Sequence, residues 1–252
     1  MSKINQETNI KHFAKTALIA AIALASASSF ALSTSSPPGK NFSLSGYTLQ
    51  LPTGSSGNVD TVSGSQLAGG FTKSPYFYTD TSDGSMVMGD AKNGWATSGS
   101  DHSRTEMREN ATWATSGTNV LTATVAVSKV ADHTTIGQIF QGTGPSKPLC
   151  ELMVTSGGVV ELLLEQTNQG GNAGSPHVIA SASGKFTYSM QLSGTTITVK
   201  VGSTTKTFTM DKSFVGEKFY FKAGNYDQSA GNTGKDLSVG TIVKFYALSI
   251  KH

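Results

Sequence analysis

Three short stretches carry polar side chains where a strand of a folded core would carry apolar ones. Ser103-Arg104-Thr105-Glu106-Met107-Arg108-Glu109 spaces Arg104, Glu106 and Arg108 at every second residue. On a β-strand that spacing projects all three from one face, and by the same parity His102 joins them. Such a row is either ordinary surface decoration or a pair of guanidinium groups steadied by a carboxylate, a rigid fork that fits a carboxylate ligand. In Ile136-Gly137-Gln138-Ile139-Phe140-Gln141, parity puts Gln138 on a face with Ile136 and Phe140, so an amide stands among apolar neighbours. It either bonds backbone or meets a ligand. Residues 219–228 (FYFKAGNYDQ) place Tyr220, Lys222, Gly224, Tyr226 and Gln228 on one face and Phe219, Phe221 and Ala223 on the other. The second set is a core face. The first offers an ammonium, phenols and an amide around a glycine, which is expected to let a ligand approach the backbone.

These side chains need strands to hold them, and the chain is written in strands. From residue 42 onward no long stretch has sustained helical periodicity. Alternation of period two recurs at residues 120–130 (VLTATVAVSKV), 159–164 (VVELLL), 195–201 (TTITVKV) and 218–223 (KFYFKA). Valine, threonine and aromatic residues fill these runs, as a half-buried pleated surface favours. Asp83-Gly84, Asn93-Gly94 and Ser193-Gly194 read as turns between them. Residues 211–215 allow one helical turn. Many short strands with regular turns predict an all-β fold, an antiparallel sandwich or β-jelly roll. No repeat of propeller or solenoid length occurs. One domain is expected over residues 42–252, after a linker or N-terminal arm at 28–41, whose residues 33–41 read STSSPPGKN.

Residues 1–27 have the three parts of a secretory signal: Lys3, Lys11 and Lys15, then the apolar run ALIAAIALA, then small residues, with cleavage placed as late as residue 31. The apolar run is well short of the roughly 20 residues that cross a bilayer. The expected mature protein is therefore secreted, extracellular and free of a membrane anchor. Removing residues 1–27 removes three lysines against one glutamate, so the formal net charge falls from +3 to +1. No global positive field remains to recruit nucleic acid. With 252 residues, 37% of them hydrophobic and 14% charged, the chain is long and apolar enough to fold as a monomer without disulfide or metal staples.

Other chemistries find less support. The single cysteine, Cys150, excludes an internal disulfide and a multi-cysteine zinc site, and its apolar neighbours predict a small buried hydrophobe. His133, His177 and His252 read as solvated. Asp80 and Asp83 read as turn residues sooner than as a calcium loop. Neither a Gly-x-Ser-x-Gly elbow nor a phosphate loop occurs. A pair of glycosidase carboxylates is not excluded by counting, but no acidic residue has a setting that singles it out.

Taken together, Arg104–Arg108, Gln138–Phe140 and Tyr220–Gln228 resemble, in order, the Arg-(Ser/Thr)-Glu-(Leu/Met)-Arg, Gln-Ile-(His/Val) and Tyr-Phe-Lys-Ala-Gly-x-Tyr-x-Gln strands of the alginate lyases of polysaccharide lyase family 7. Residues 47–52 (YTLQLP) and 76–88 (YFYTDTSDGSMVM) share the likeness, which spans nearly the whole chain after the leader. The resemblance implies a jelly roll of two curved antiparallel sheets and cleavage of a 1,4-linked polyuronate by β-elimination, with an anionic polysaccharide as partner and no cofactor or metal. It implies that Arg104 and Gln138 offset the substrate carboxylate and that Tyr226 is acid and base. A phenol titrates near pH 10, so that role needs cations that favour its anion, and Lys222 and Arg108 are the expected sources. Glu106 is expected to brace the two arginines, Gln228 to contact sugar hydroxyls and Tyr220 to stack on the sugar.

Phe140 departs from the family pattern, since many relatives have histidine there. The change weighs against a two-residue anti elimination and against efficient cutting at guluronate, and so favours mannuronate-rich alginate. His102, by strand parity, is the candidate to compensate. Glucuronan, with the same mechanism, and a non-catalytic polyuronate-binding jelly roll remain as alternatives.

Overall fold

The computed structural model describes residues 31–252, so the expected signal peptide lies outside the described residues, all but the last position of its latest cleavage box included. Alternating burial builds the strands. In β6 (Thr118–Ser128), Leu121, Ala123 and Val125 are buried while the threonines between them face out. In chain order the strands are β1 (Tyr47–Ser55), β2 (Asn58–Val62), β3 (Phe77–Thr79), β4 (Met86–Trp95), β5 (Thr105–Glu109), β6, β7 (His133–Gln141), β8 (Pro148–Thr155), β9 (Val159–Leu164), β10 (His177–Ser181), β11 (Lys185–Ser193), β12 (Thr196–Val201), β13 (Thr204–Thr209), β14 (Phe219–Asp227) and β15 (Thr233–Lys251). Two short helices, α1 (Pro38–Asn41) and α2 (Gly64–Gly69), and a 3-10 turn at Lys212–Phe214 complete the described elements.

The strands form two antiparallel sheets, the two layers of a jelly roll. One runs β10-β9-β8-β7-β14-β5-β1-β2, the other β13-β12-β11-β6-β15-β4-β3. The core lies between them. Ile139, Phe221, Met107 and Leu49 of the first sheet meet Leu121, Phe245, Met88 and Tyr188 of the second within one apolar cluster. Each large apolar side chain fully buried here stabilises the fold by about 1.5–3 kcal/mol. The Tyr188 hydroxyl crosses the sandwich to donate to the Ile136 carbonyl at 2.7 Å, satisfying a buried polar group.

Two turn expectations hold, and one is corrected. Asp83-Gly84 turns the chain between β3 and β4, and Ser193-Gly194 turns it between β11 and β12, where Gly194 supplies φ 57° at the first position of a two-residue hairpin loop. Asn93-Gly94 is no turn. It lies inside β4, because β15 pairs along it and the Asn93 side chain accepts from the Thr233 backbone N–H at 2.8 Å. The long β15 outranks the local turn signal. Residues 31–41 belong to the same compact unit as the rest. Asn41 accepts from the Ser33 N–H at 3.0 Å and donates to the Ser33 carbonyl at 2.8 Å and to that of Gly84 at 3.2 Å, which ties this arm down. Among the described residues no helix is long and apolar enough to cross a membrane.

Candidate active site

Strands β5, β14, β7 and β8 are neighbours in the first sheet, and their faces turned away from the core floor a cleft of about 490 Å³. Register decides what meets what. Lys222 stands directly across from Gln138 on one side and Arg108 on the other, and Gly224 stands across from Glu106. Arg104, Arg108, Gln138, Tyr220, Lys222 and Tyr226 therefore line a single cleft, although 122 positions of sequence part the first from the last.

Glu106 is the centre of this arrangement. It is 1% exposed and accepts from Gln138 Nε2 at 2.5 Å and Arg104 Nη1 at 3.0 Å, with Lys222 Nζ at 3.4 Å. The expected brace between two arginines is thus corrected. Glu106 braces Arg104, Lys222 and Gln138, whereas Arg108 is exposed and stacks on the Tyr220 ring, 4.2 Å from its centroid. Lys222 is buried and directed to Glu106 from the adjacent strand, while Arg108, on the same strand as Glu106, turns out to solvent over Tyr220. Burial pushes the Glu106 carboxyl up, but the charges of Lys222 and Arg104 outweigh it and hold the group below its ordinary range. The same burial lowers the Lys222 ammonium to about 8, against the upward pull of Glu106.

Tyr226 lies beneath Arg104, whose guanidinium carbon is 3.6 Å from the ring centroid. The cation beside this phenol is therefore Arg104, not the expected Arg108, and Lys222 is directed to Glu106 instead. Ser100 Oγ is 3.0 Å from the Tyr226 hydroxyl and accepts from Arg104 Nη2 at 2.7 Å, so one loop hydroxyl links phenol and guanidinium. Strand reasoning missed Ser100 because it comes from the loop before β5, where parity says nothing. Phe140 lines the cleft with Lys222 Nζ 4.2 Å from its ring centroid and Tyr220 5.3 Å away ring to ring. Burial raises the Tyr220 phenol to about 12, which leaves it a neutral side wall.

Four expectations are corrected. His102 does not line the cleft: β5 begins only at Thr105, so strand parity does not extend to it, and its Nδ1 is 2.7 Å from the Ala230 carbonyl. Its ring lies 6.2 Å from that of Tyr226, outside the cleft lining. Gln228 falls past the end of β14, where its amide donates to the Tyr226 carbonyl at 3.3 Å instead of facing the cleft. Ile136 belongs to the core: an irregularity in register at Thr135–Gly137 turns it away from Gln138. The space at Gly224 serves the protein, not a ligand, because a Cβ there would stand 2.5 Å from the Glu106 Cα.

Outside the cleft, His133 pairs with Asp132 at 2.9 Å and His177 packs on Phe208. His252 is not simply solvated. It reaches Glu109 at 2.7 Å and Asn119 at 2.9 Å over the Trp113 ring. Lys244 bonds Asp80 and lies 3.4 Å from Asp83, so a lysine takes the place a cation would have between them. Cys150 is buried, and burial raises its thiol to about 12. Glu151, which strand reasoning did not single out, lines the cleft on β8 across from Gln138. A lone acid within the apolar run Leu149-Cys150-Glu151-Leu152-Met153 was the available signal.

Chemically, the cleft offers a rigid cation and an amide, both fixed by one carboxylate, beside a phenol within reach of a guanidinium. That set can neutralise an acid and move a proton next to it. A family model described as alginate lyase matches residues 42–252. Among solved structures the chain is similar to alginate lyase A1-II′, a member of polysaccharide lyase family 7, at 26% identity over 86% of this chain and 99% of that one, with a TM-score of 0.76. A variant of that protein in complex with a substrate written GGMG matches at 26% identity, over 86% of this chain and 97% of that one, with a TM-score of 0.73. An alginate lyase from Pseudomonas aeruginosa matches at 26% identity over 83% of this chain and 99% of that one, with a TM-score of 0.72. No curated protein matches the chain. With the family matched along residues 42–252 and the jelly roll shared with its solved members, the chain belongs to the alginate lyase family and is a polysaccharide lyase.

Proposed function

We propose that this protein is a secreted, monomeric lyase that cleaves alginate within mannuronate-rich stretches by syn β-elimination. The observation that carries the reading is the Tyr226 phenol held under Arg104 at 3.6 Å, with Gln138 and Lys222 in the same cleft. The C5 proton of a uronate is weakly acidic while the neighbouring carboxylate keeps its full charge. Arg104 and the second N–H of Gln138 lower that cost by donating to the carboxylate, where negative charge accumulates as C5 is deprotonated. Tyr226, as its anion, takes the C5 proton. The electron pair forms the C4–C5 double bond as the C4–O4 bond breaks, and the phenol returns its proton to O4. Base and acid are then one group on one side of the sugar, which fits a uronate whose C5 hydrogen and O4 lie on the same side. Phe140, without a proton to give or take, supports the single-residue route. The leader pattern of residues 1–27 supports export.

The test is ultraviolet absorbance of the new double bond with mannuronan, guluronan and glucuronan in parallel. Wild type is expected to act fastest on mannuronan, and Tyr226→Phe to lose at least the 10²–10⁴-fold that a positioned acid–base supplies. A protein that binds these polymers without generating the absorbance is a binding module, and the reading fails. Faster release from glucuronan keeps the reaction and changes the polymer.

A further inference from the structure

Glu151 is unused in the mechanism above, yet it occupies a place where substrate must come. It stands directly across from Gln138 on neighbouring strands, and both side chains line the cleft. Thr135 Oγ1 donates to its Oε2 at 3.1 Å, and its Oε1 makes no hydrogen bond among the described residues. An acid so placed would be expected to repel a polyanion. We propose that Glu151 is a further substrate-binding residue of the cleft, which in its protonated form donates a hydrogen bond to the uronate carboxylate held by Arg104 and Gln138. The inference rests on the lyase reading and extends it to how the charged sugar is recognised.

Charge balance supports it. Arg104, Lys222 and Glu106 leave the buried floor of the cleft with one positive charge, while the exposed Arg108 and Lys147 line its open part. An ionised Glu151 would cancel that charge, and the uronate carboxylate would then meet buried groups that are neutral in sum. A carboxylic acid in the same place satisfies the remaining carboxylate lone pairs without adding charge. The surroundings favour the acid: burial first, and then the Glu106 carboxylate, push the Glu151 group up, while Thr135, Lys222 and Arg104 pull it down less strongly. Among the other charged or titratable groups around it, Arg108 on β5, Tyr220 and Tyr226 on β14 and Lys147 in the loop before β8 line the same cleft. Glu161 is the one charged residue of β9 and pairs with Met153, whereas Leu163 is the β9 residue opposite Glu151. His133, at the far end of β7, is paired with Asp132.

The test is KM against pH on mannuronan for wild type, Glu151→Gln and Glu151→Met, each checked for folding by circular dichroism. In wild type, KM is expected to rise about tenfold as pH increases and Glu151 ionises. Glu151→Gln keeps a donor that does not titrate, so its KM stays low and flat until Lys222 begins to lose its proton near 8. Glu151→Met lacks a donor, so its KM is flat and raised. Profiles of wild type and Glu151→Gln that run parallel overturn the inference, and if Glu151→Gln does not fold, a Glu151→Met profile that rises like wild type does the same. A wild type that forms no unsaturated product from any polyuronate defeats the lyase reading itself, a result read before any variant is compared.

Discussion

Replacing Glu106 with glutamine asks whether one carboxylate organises the cleft. Its two oxygens hold Gln138 at 2.5 Å, Arg104 at 3.0 Å and Lys222 at 3.4 Å, and its side chain is 1% exposed, so water cannot take over when the charge is removed. Removing one partner of a buried ion pair costs about 3–5 kcal/mol because the opposite charge is left uncompensated. Lys222 offers relief, since burial already lowers it to about 8, and without the upward pull of Glu106 it sheds its proton more readily still. The expected loss is therefore at the lower end, about 3 kcal/mol, within the roughly 5–15 kcal/mol of a typical domain, so the variant should still fold. Activity should fall further. Both groups that receive the substrate carboxylate lose their anchor, and each such donor is worth about 10²–10³ in rate, so kcat/KM should drop about a thousandfold or more. The pH dependence has a definite sign. Because the folded carboxyl is held below its ordinary range, its contribution is complete above that range and is lost as pH falls through the lowered value, and Glu106→Gln should lack this loss. Urea unfolding followed by tryptophan fluorescence and the absorbance assay measure the two effects. Stability within about 0.5 kcal/mol of wild type, with turnover unchanged, would refute the central role of Glu106.

Two further outcomes follow from the same geometry. Gly224→Ala puts a Cβ 2.5 Å from the Glu106 Cα, so β5 and β14 must separate; a cost of about 1–3 kcal/mol is expected, with activity lost alongside it, both read by unfolding and turnover. Lys222 titrates lower folded than unfolded, so the unfolded chain holds more protons between about 8 and the ordinary lysine value, and wild-type stability should gain from this group across that window; Lys222→Met should remove that gain in unfolding midpoints measured at stepped pH.

The paired layers and the three polar rows were legible because period-two alternation is a property of the strand itself. Phe219, Phe221 and Ala223 fall on the core side and Tyr220, Lys222 and Tyr226 on the cleft side, as spacing requires. What spacing could not supply was the point at which a strand starts or slips. His102 lies before β5, Gln228 after β14, and Ile136 at a register irregularity, and in each case parity is carried to a place where no regular ladder enforces it. Cross-strand partnership was equally hidden. That Glu106 would choose Lys222 over Arg108, and that Glu151 would face Gln138, depends on which strands become neighbours. Asn93-Gly94 failed for the opposite reason, a sound local turn signal overridden by a long partner strand.

The insertion of β14 between β5 and β7 has a consequence for how the protein becomes active. Until residues 219–227 dock, the first sheet is split, with Arg104 and Glu106 stranded in one part and Gln138 in the other. No shorter product of synthesis or of proteolysis that lacks this segment can hold a working arrangement, and the pairing spans a large chain separation, which makes its assembly slow relative to local hairpins. Competence is thus acquired all at once, when this one segment takes its place.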